Sequence, residues 1–240
     1  MTITKFPDLT HVQNDRRVKL MLEAADRAME ELGYTEHGIR HAMIVSTRAK
    51  EIMLEFGFPE RQAELVAIAG YLHDVGNLVA RSNHAHSSTM IVYPVLIDLG
   101  FDYDETFQML GFIASHEDET GIPTNPMDAA IVIADKSDVH RSRVREWDPM
   151  TKDIHDRVNL AATSTQLIPN RNEMSITLDI SIDNQISSVM DYLHIFLDRM
   201  DMCLSAGHIL SAQFQLVING VKMYKEENSA NNSDKDNNAE

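Results

Sequence analysis

The stretch that decides the fold is residues 63–76, which read AELVAIAGYLHDVG. Small and apolar residues dominate it up to Leu72, so it predicts a largely buried helix. The adjacent pair His73 and Asp74 ends this helix. A buried carboxylate is costly unless a cation neutralises it, and imidazole nitrogen and carboxylate oxygen are standard ligands of divalent transition metals. The pair therefore indicates a metal site.

Further potential ligands lie on both sides of this pair. His41 falls on the apolar stripe of an upstream helix, and His116 follows a helix predicted over residues 102–115. Asp135 ends the apolar run of residues 129–134, within the last helix predicted for this half, residues 127–146. Because no single helix can surround an ion, we expect these ligands to converge from several packed helices.

In chain order, the potential ligands resemble the pattern of the HD superfamily of metal-dependent phosphohydrolases: His41, His73, Asp74, His84 or His86, His116 and Asp135. The resemblance covers residues 36–145, a little under half of the chain. It implies a helical bundle that binds divalent metal ions, with Mn, Fe, Mg, Ni, Co or Zn as candidates. Members with two histidines beyond the smallest ligand set hold two ions, so the resemblance implies a dinuclear site bridged by Asp74.

Two histidines compete for one position in this pattern. In related sequences the ligand is commonly followed four residues later by a small residue, and Ser88 stands there after His84, whereas Met90 follows His86. We therefore assign His84 as the ligand and expect His86 to face solvent or to touch the substrate. His37, four residues before the first ligand, is a further candidate for contact with the substrate or the ligands, although a surface position at a helix start explains it equally well.

Basic residues directly after the last ligand suit phosphate recognition. Arg141 lies six residues past Asp135, where several relatives also carry an arginine, and a guanidinium can bind phosphate oxygens bidentately. A solvated basic face is the alternative interpretation. Lys136 and Asp138 are candidates for positioning or proton transfer, and Asp138 could equally anchor Arg141.

The chain departs from the family pattern at two positions. Many members read His-Asp-x-Gly-Lys, with the lysine helping to bind phosphate, but Asn77 stands at that position here. Many members also have two consecutive histidines at the fifth ligand position of the pattern, where this chain has His116 and Glu117. Asn77 removes a positive charge, which leaves the substrate class open without affecting the expected ligands.

Composition excludes several classes of function. The formal net charge of −16 argues against binding to nucleic acid, whose phosphates would be repelled, but it does not exclude a small phosphorylated substrate. The single cysteine, Cys203, cannot form an internal disulfide. No segment is apolar enough for a membrane span or a signal peptide. We therefore expect a cytoplasmic protein without a membrane partner.

The sequence pattern changes near residue 150. Branched, partly alternating residues predict strands at 158–168 and 175–182, followed by a helix at 185–206 and a strand at 213–223. The predicted fold class is mainly α: an all-helical HD-domain bundle in residues 1–150, a small β-β-α-β appendage in residues 151–225, and a disordered polar tail in residues 226–240. The apolar helix of the appendage needs a cover, either the helical bundle or a second subunit in a homodimer.

The ligand pattern predicts a hydrolase that cleaves a phosphate ester, either a nucleotide or another small phosphoester. Asp74 would share a dinuclear site whose metal-bound hydroxide attacks phosphorus. An HD-fold diiron oxygenase is an alternative, because sets of histidines and carboxylates also bind iron. A ligand-sensing or oligomerisation module with little turnover, built on the appendage, is a third possibility.

Overall fold

The computed structural model describes residues 6–116, 123–145 and 154–223. The N-terminal part is helical and contains α1 (Leu9–Asn14), α2 (Arg16–Glu31), α3 (Ile39–Glu55), α4 (Glu60–Leu72), a 3-10 turn (Val75–Leu78), α5 (His84–Asp98), α6 (Tyr103–Ala114), α7 (Pro126–Lys136) and a second 3-10 turn (Arg141–Arg143). The C-terminal part contains α8 (Ile154–Ala161), β1 (Ala162–Asn170), β2 (Ser175–Ile182), α9 (Val189–Ile209), β3 (Gln213–Ile218) and β4 (Val221–Lys222). The predicted fold class, mainly helical with a small C-terminal α+β part, is confirmed.

Short polar side chains set the starts of several helices. The Asp15 carboxylate accepts hydrogen bonds from free backbone N–H groups of α2, and Asn125 does the same for α7, where Pro126 occupies the first helical position. Ser188 and Asp191 form a reciprocal capping box at the start of α9. These local interactions fix where α7 and α9 begin.

Helix α4 is the central element of the helical part. Its residues 65–72 are all buried, and the helix packs against α3, α6 and α7. Gly70 permits the close approach of α3, since a Cβ there would lie 3.3 Å from Val45 Cγ1 and 3.4 Å from the backbone of Ser46. The predicted buried helix is confirmed, and it carries His73 and Asp74 into the interior.

The sheet has the strand order β1-β2-β3-β4. The β1–β2 and β3–β4 pairs are antiparallel, whereas β2 and β3 are parallel and are connected by α9. Helix α9 packs against β3 and against α7, burying Tyr192, Phe196, Met200 and Cys203. The helical part of the same chain therefore covers the apolar face of α9, and the homodimer stays a prediction.

Helix α7 is shorter than predicted. It ends at Lys136 rather than near residue 146, because Ser137 Oγ donates to the carbonyl of Ala134 and the chain then turns to bring Asp138 against α3. A long-range interaction has overridden a continuous helical pattern.

Two boundaries in the C-terminal part also differ from the prediction. Residues 158–161, predicted as strand, are the buried end of α8, because a run of four residues fits a buried helix as well as a strand. The last predicted strand is divided into β3 and β4 by Asn219 and Gly220, with φ of 51° and 78°. Positive φ at both loop residues is typical of a two-residue hairpin turn.

The predicted boundary near residue 150 and the predicted tail at 226–240 lie outside the described residues. Within the described ranges, no helix combines the length and the apolar character needed to cross a membrane.

Gly76 allows the turn after α4 to meet the first turns of α5. A Cβ at this position would lie 2.0 Å from the carbonyl oxygen of His84 and 2.5 Å from the amide nitrogen of Ser88. We predict that Gly76→Ala lowers the free energy of unfolding by about 1–3 kcal/mol, the usual cost of overpacking, in urea titrations followed by circular dichroism.

The matched control is Gly111→Ala. Gly111 is exposed in α6, and a Cβ there would meet nothing within 4 Å. Because alanine favours helix by up to about 1 kcal/mol over glycine, this variant should be slightly more stable than the wild type. Equal stabilities of the two variants would contradict the close approach at Gly76.

Candidate metal centre

The structure brings together the side chains that the sequence predicted as metal ligands. His41 comes from α3, His73 and Asp74 end α4, His84 is the first residue of α5, and His116 and Asp135 come from the end of α6 and from α7. The four histidines and Asp74 are buried. Neighbouring imidazole rings lie close together, with centroids 5.2 Å apart for His41 and His73, 4.7 Å for His73 and His116, and 5.0 Å for His84 and His116.

The first donor group consists of His41, His73, Asp135 and one oxygen of Asp74. His41 Nε2 lies 3.2 Å from Asp135 Oδ1 and 3.7 Å from Asp74 Oδ2. His73 Nε2 lies 3.4 Å from Asp74 Oδ2 and 3.7 Å from Asp135 Oδ1. Ligands bound about 2.1 Å from one ion lie about 3.0–3.4 Å apart in octahedral or tetrahedral geometry. The observed distances are close to this range, so the group fits one divalent cation.

The second donor group uses the other oxygen of Asp74. Asp74 Oδ1 lies 3.0 Å from His84 Nε2 and 3.8 Å from His116 Nε2, and these two nitrogens are 3.0 Å apart. His73, Asp74 and His116 also have donor atoms within 4.8 Å of one another. The Asp74 carboxylate thus lies between two sets of nitrogen donors and presents one oxygen to each.

Hydrogen bonds at Nδ1 orient the four imidazoles. The acceptors are as follows: Asp138 Oδ2 for His41 at 2.7 Å, Gly70 O for His73 at 2.8 Å, Arg81 O for His84 at 3.0 Å and Ile113 O for His116 at 2.6 Å. Three of these acceptors are carbonyls three residues before the histidine. When Nδ1 donates, the lone pair of a neutral imidazole is on Nε2, the atom that faces the centre.

Two of these Nε2 atoms lack any hydrogen bond. Nε2 of His41 and Nε2 of His73 are fully buried without a hydrogen-bond partner among the described residues. Most buried polar atoms in native proteins have a partner, so each unsatisfied one requires an explanation. A cation coordinated by both nitrogens would supply it, and the donor set therefore fits a metal ion.

Electrostatic interactions keep the carboxylates charged. Burial alone would raise the pKa of Asp74, but His73, His116 and His84 outweigh it and hold the pKa well below its usual range. Burial is likewise outweighed at Asp135, where Lys136 and the nearby imidazoles of His41 and His73 keep the pKa well below normal. Both carboxylates can therefore bind cations at neutral pH.

The histidines at the two ends of the centre differ in protonation. Burial lowers the pKa of His116 to about 4, so this ring is neutral at pH 7. Burial and Arg143 also act to lower the pKa of His41, but the carboxylate of Asp135, 3.2 Å from Nε2, and that of Asp138, which accepts from Nδ1, raise it to about 9. The metal-free protein therefore carries a proton on His41 at neutral pH.

Asp138 positions His41 and, among the described residues, forms no hydrogen bond or ion pair with Arg141, the partner that was predicted as an alternative. Besides His41 Nδ1, the carboxylate accepts hydrogen bonds from both terminal nitrogens of Arg40, at 2.8 and 3.3 Å. Burial would raise the pKa of Asp138, but Arg143, His41 and Arg40 hold it well below its usual range. Arg40 directly precedes a predicted ligand but was not among the predicted site residues.

Asn77 supports the central carboxylate. Its amide nitrogen donates to Asp74 Oδ1 at 2.9 Å and to the Asp74 carbonyl at 3.0 Å. A cation still lies nearby, because Arg81 Nη1 is 3.4 Å from Asn77 Oδ1 and 3.2 Å from both ring nitrogens of His84. Arg81 therefore places a positive charge beside the candidate ligands, although it was not among the predicted site residues.

The other predicted site residues occupy different surroundings. Lys136 is buried and donates to Asp135 Oδ2 at 2.9 Å. Arg141 lies in the second 3-10 turn, and its Nε is buried with no hydrogen-bond partner among the described residues. His86 is exposed on α5. His37 precedes α3 instead of lying on it, and its ring centroid is 5.5 Å from that of His41.

A cavity of about 350 Å³ adjoins the centre. His37, Arg81 and Arg143 line it on the side of the helical part, whereas residues of α8 and α9 line it on the other side. Arg143 Nη2 donates to His37 Nε2 at 3.1 Å, so Arg143, and not Arg141, is the arginine of this turn that lines the cavity.

Comparison with known proteins finds a similarity to an archaeal protein. No family model matches the chain. The uncharacterized protein MJ1020 of Methanocaldococcus jannaschii is 26% identical over 196 residues, which cover 71% of this chain and 74% of that protein. The name of this relative assigns no activity. The structure of this chain contains a buried cluster of histidines and aspartates that could bind a metal ion.

The protonation of His41 predicts a pH-dependent metal affinity. Below about pH 9 a cation must displace the His41 proton, whereas His116 is already neutral. We expect the affinity for Mn²⁺ to rise by about tenfold per pH unit between about pH 6.5 and 8.5, because binding releases the His41 proton. Calorimetric titrations in buffers of different ionisation enthalpy measure both the affinity and the number of protons released. A pH-independent affinity would contradict this account.

Asp138→Asn tests the origin of this behaviour. The variant loses the charge that raises the pKa of His41 and part of the support for its ring, so affinity should fall by about 10- to 100-fold near pH 8.5 and depend less on pH. Asp191→Asn is the control, because Asp191 accepts hydrogen bonds from Ser187 and Ser188 at the start of α9. It should retain both the affinity and its pH dependence.

Proposed function

We propose that the protein is a metal-dependent phosphohydrolase of the HD superfamily that cleaves a phosphate ester of a small molecule at a dinuclear site. One observation carries the proposal: the two oxygens of Asp74 face different groups of imidazole nitrogens, His41 and His73 on one side and His84 and His116 on the other. A carboxylate in this position suits a bridge between two cations. The order of these residues along the chain is also that of the HD pattern.

Each residue of the centre has a role in this proposal. His41, His73, Asp135 and Asp74 Oδ2 would hold one cation, and His84, His116 and Asp74 Oδ1 would hold the other. Divalent cations in such a site lower the pKa of a water molecule toward neutrality and neutralise the charge on phosphoryl oxygens.

The surrounding residues hold the ligands in place. Asp138 orients His41, and Asn77 orients the Asp74 carboxylate through a hydrogen bond of 2.9 Å. Lys136 offsets the charge of Asp135. Lys136 and Asp138 are therefore positioning residues in this proposal. Partners of this kind typically change metal affinity by about 10- to 100-fold when they are removed.

The charge distribution favours a small anionic substrate. The formal net charge of −16 repels a polyanion at long range, whereas Arg81 and Arg143 make the wall of the adjoining cavity locally positive. A phosphate that enters through this cavity would arrive beside His84, which Arg81 contacts at 3.2 Å. A small phosphoester meets both conditions.

We predict phosphate release from at least one small phosphoester in a screen of nucleotides, cyclic nucleotides and sugar or alcohol phosphates with Mn²⁺, Mg²⁺, Ni²⁺ or Co²⁺. Asp74→Asn and His84→Ala should lose at least about 100-fold in kcat and, in elemental analysis, part of the bound metal, because the first removes the negative charge shared by both groups and the second removes a nitrogen donor. The assay is run without oxygen, so that turnover under these conditions excludes the oxygenase alternative.

His86→Ala is the matched control for His84→Ala. His86 lies two residues further along α5 with its side chain in solvent, so this variant should retain activity and metal content. Full activity in metal-analysed His84→Ala, or oxygen uptake that depends on reduced iron without any phosphate release, would overturn the proposal.

A further inference from the structure

Arg81 contacts the second donor group through its backbone and through its side chain. Its carbonyl accepts a hydrogen bond from His84 Nδ1 at 3.0 Å, which orients the ring. Its guanidinium lies against the same ring, with Nη1 3.2 Å from Nδ1 and 3.2 Å from Nε2. Because an arginine is always protonated in a protein, this side chain brings a permanent positive charge to a group of donors that fits a cation.

The other contacts of the Arg81 guanidinium are with neutral groups. Nη1 lies 3.4 Å from Asn77 Oδ1, and Cζ lies 5.8 Å from the centroid of the Tyr34 ring. Within the described part of the chain, no carboxylate forms an ion pair with Arg81. Its charge is therefore not neutralised by an ion pair at the place where it meets the second donor group.

The first donor group has a different electrostatic environment, because basic side chains beside it are paired with carboxylates. Arg40 Nη2 lies 2.8 Å from Asp138 Oδ2, and Lys136 Nζ lies 2.9 Å from Asp135 Oδ2. A divalent cation in the second group would be repelled by the charge of Arg81, and this repulsion is strong over a few ångströms in a site of low dielectric constant. We therefore expect the first group to bind a cation more tightly than the second.

An anion that binds beside His84 would reduce this repulsion. Phosphate oxygens can accept hydrogen bonds from a guanidinium and can also coordinate a divalent cation. Arg81 lines the cavity that adjoins the centre, so an anion in this cavity can contact its guanidinium and reach the second group. By thermodynamic linkage, the anion and the second cation then raise the affinity for each other by the same factor.

We propose that Arg81 couples the binding of a cation by the second donor group to the binding of an anionic substrate. Its charge weakens cation binding at this group until an anion neutralises it. Without an anion the first group fills alone, and the second fills only at a higher metal concentration. The inference rests on the proposed dinuclear site, and it means that the complete centre is assembled mainly in molecules that hold a substrate.

The test is calorimetric titration of the full metal-free chain with Mn²⁺, with and without methylphosphonate, an anion that contains no ester bond to hydrolyse. For the wild type we expect one tightly bound Mn²⁺ and a second that binds at least about tenfold more weakly. Methylphosphonate should tighten the second ion by about tenfold or more, which is within the usual range of coupling between two sites. Electron paramagnetic resonance distinguishes a spin-coupled Mn²⁺ pair from isolated ions, and so shows whether the second ion lies beside the first.

Arg81→Gln separates this role from a purely structural one, because it removes the charge but keeps the carbonyl that orients His84. Without the anion, its second Mn²⁺ should bind about tenfold more tightly than in the wild type. Its affinity for methylphosphonate, measured with one equivalent of Mn²⁺, should fall by about tenfold, because a charged hydrogen bond is lost. A structural defect would weaken both.

Two further variants serve as controls. Arg81→Lys retains the charge and should keep most of the coupling. Arg27→Gln removes an arginine from the exposed surface of α2 and should leave both affinities unchanged. Melting temperatures show that each variant is folded.

The outcomes separate this inference from the proposed function. Two equally tight ions in the wild type without the anion, or a second-ion affinity that Arg81→Gln leaves unchanged or weakens, would overturn the inference, even if phosphoesters are hydrolysed. Coupling that depends on Arg81, found together with no hydrolysis of any phosphoester, would support the inference and reject the proposed function. Binding of a single ion in every variant, with and without the anion, would overturn both the inference and the dinuclear site.

Discussion

The need to neutralise a buried carboxylate constrains the whole helical part of this protein. The Asp74 side chain is ionised, and the residue is only 4% exposed. Burying an unpaired ion in a protein interior costs on the order of several kcal/mol. Imidazoles from four helical segments surround the Asp74 carboxylate, and the Asn77 amide donates to it. The positions of α3 to α6 follow from this requirement, because each must deliver a nitrogen to the same carboxylate.

Local backbone geometry orients three of the four imidazoles. His73, His84 and His116 each donate from Nδ1 to a carbonyl three residues earlier, so the helix end or turn that carries the ring also fixes its orientation. His41 lies within a helix, where carbonyls are already used, and it depends on Asp138 from beyond α7 instead. This difference explains why α7 ends early and why the chain returns toward α3.

Sequence periodicity predicted the elements with a strong local signal. The buried α4 and the order of helices and strands follow from apolar spacing and turn residues, and Asn219-Gly220 was a local hairpin signal that would have located the β3–β4 turn. The end of α7 depends on Asp138 meeting His41, a contact across 97 positions that local patterns cannot report. Pattern alone could not distinguish a helix from a strand at residues 158–161.

In the candidate site, too, some features follow from the local sequence and others depend on tertiary structure. The candidate ligands were predicted from residue type and order along the chain. The choice of His84 over His86 depended on the small residue Ser88, one helical turn after His84. The cations that line the cavity come from separate regions, Arg81 before α5, Arg143 after α7 and Arg199 on α9, and nothing in their sequence spacing indicates that they meet. The lining of the adjoining cavity is therefore defined by tertiary structure, whereas the candidate metal ligands follow from the sequence motif.

The bridging role of Asp74 is the central claim, and anomalous X-ray diffraction from crystals grown with Mn²⁺ tests it most directly. The account predicts two anomalous peaks, one among His41, His73 and Asp135 and one beside His84 and His116, with an oxygen of Asp74 bound to each. A single peak, or peaks that do not contact Asp74, would contradict it.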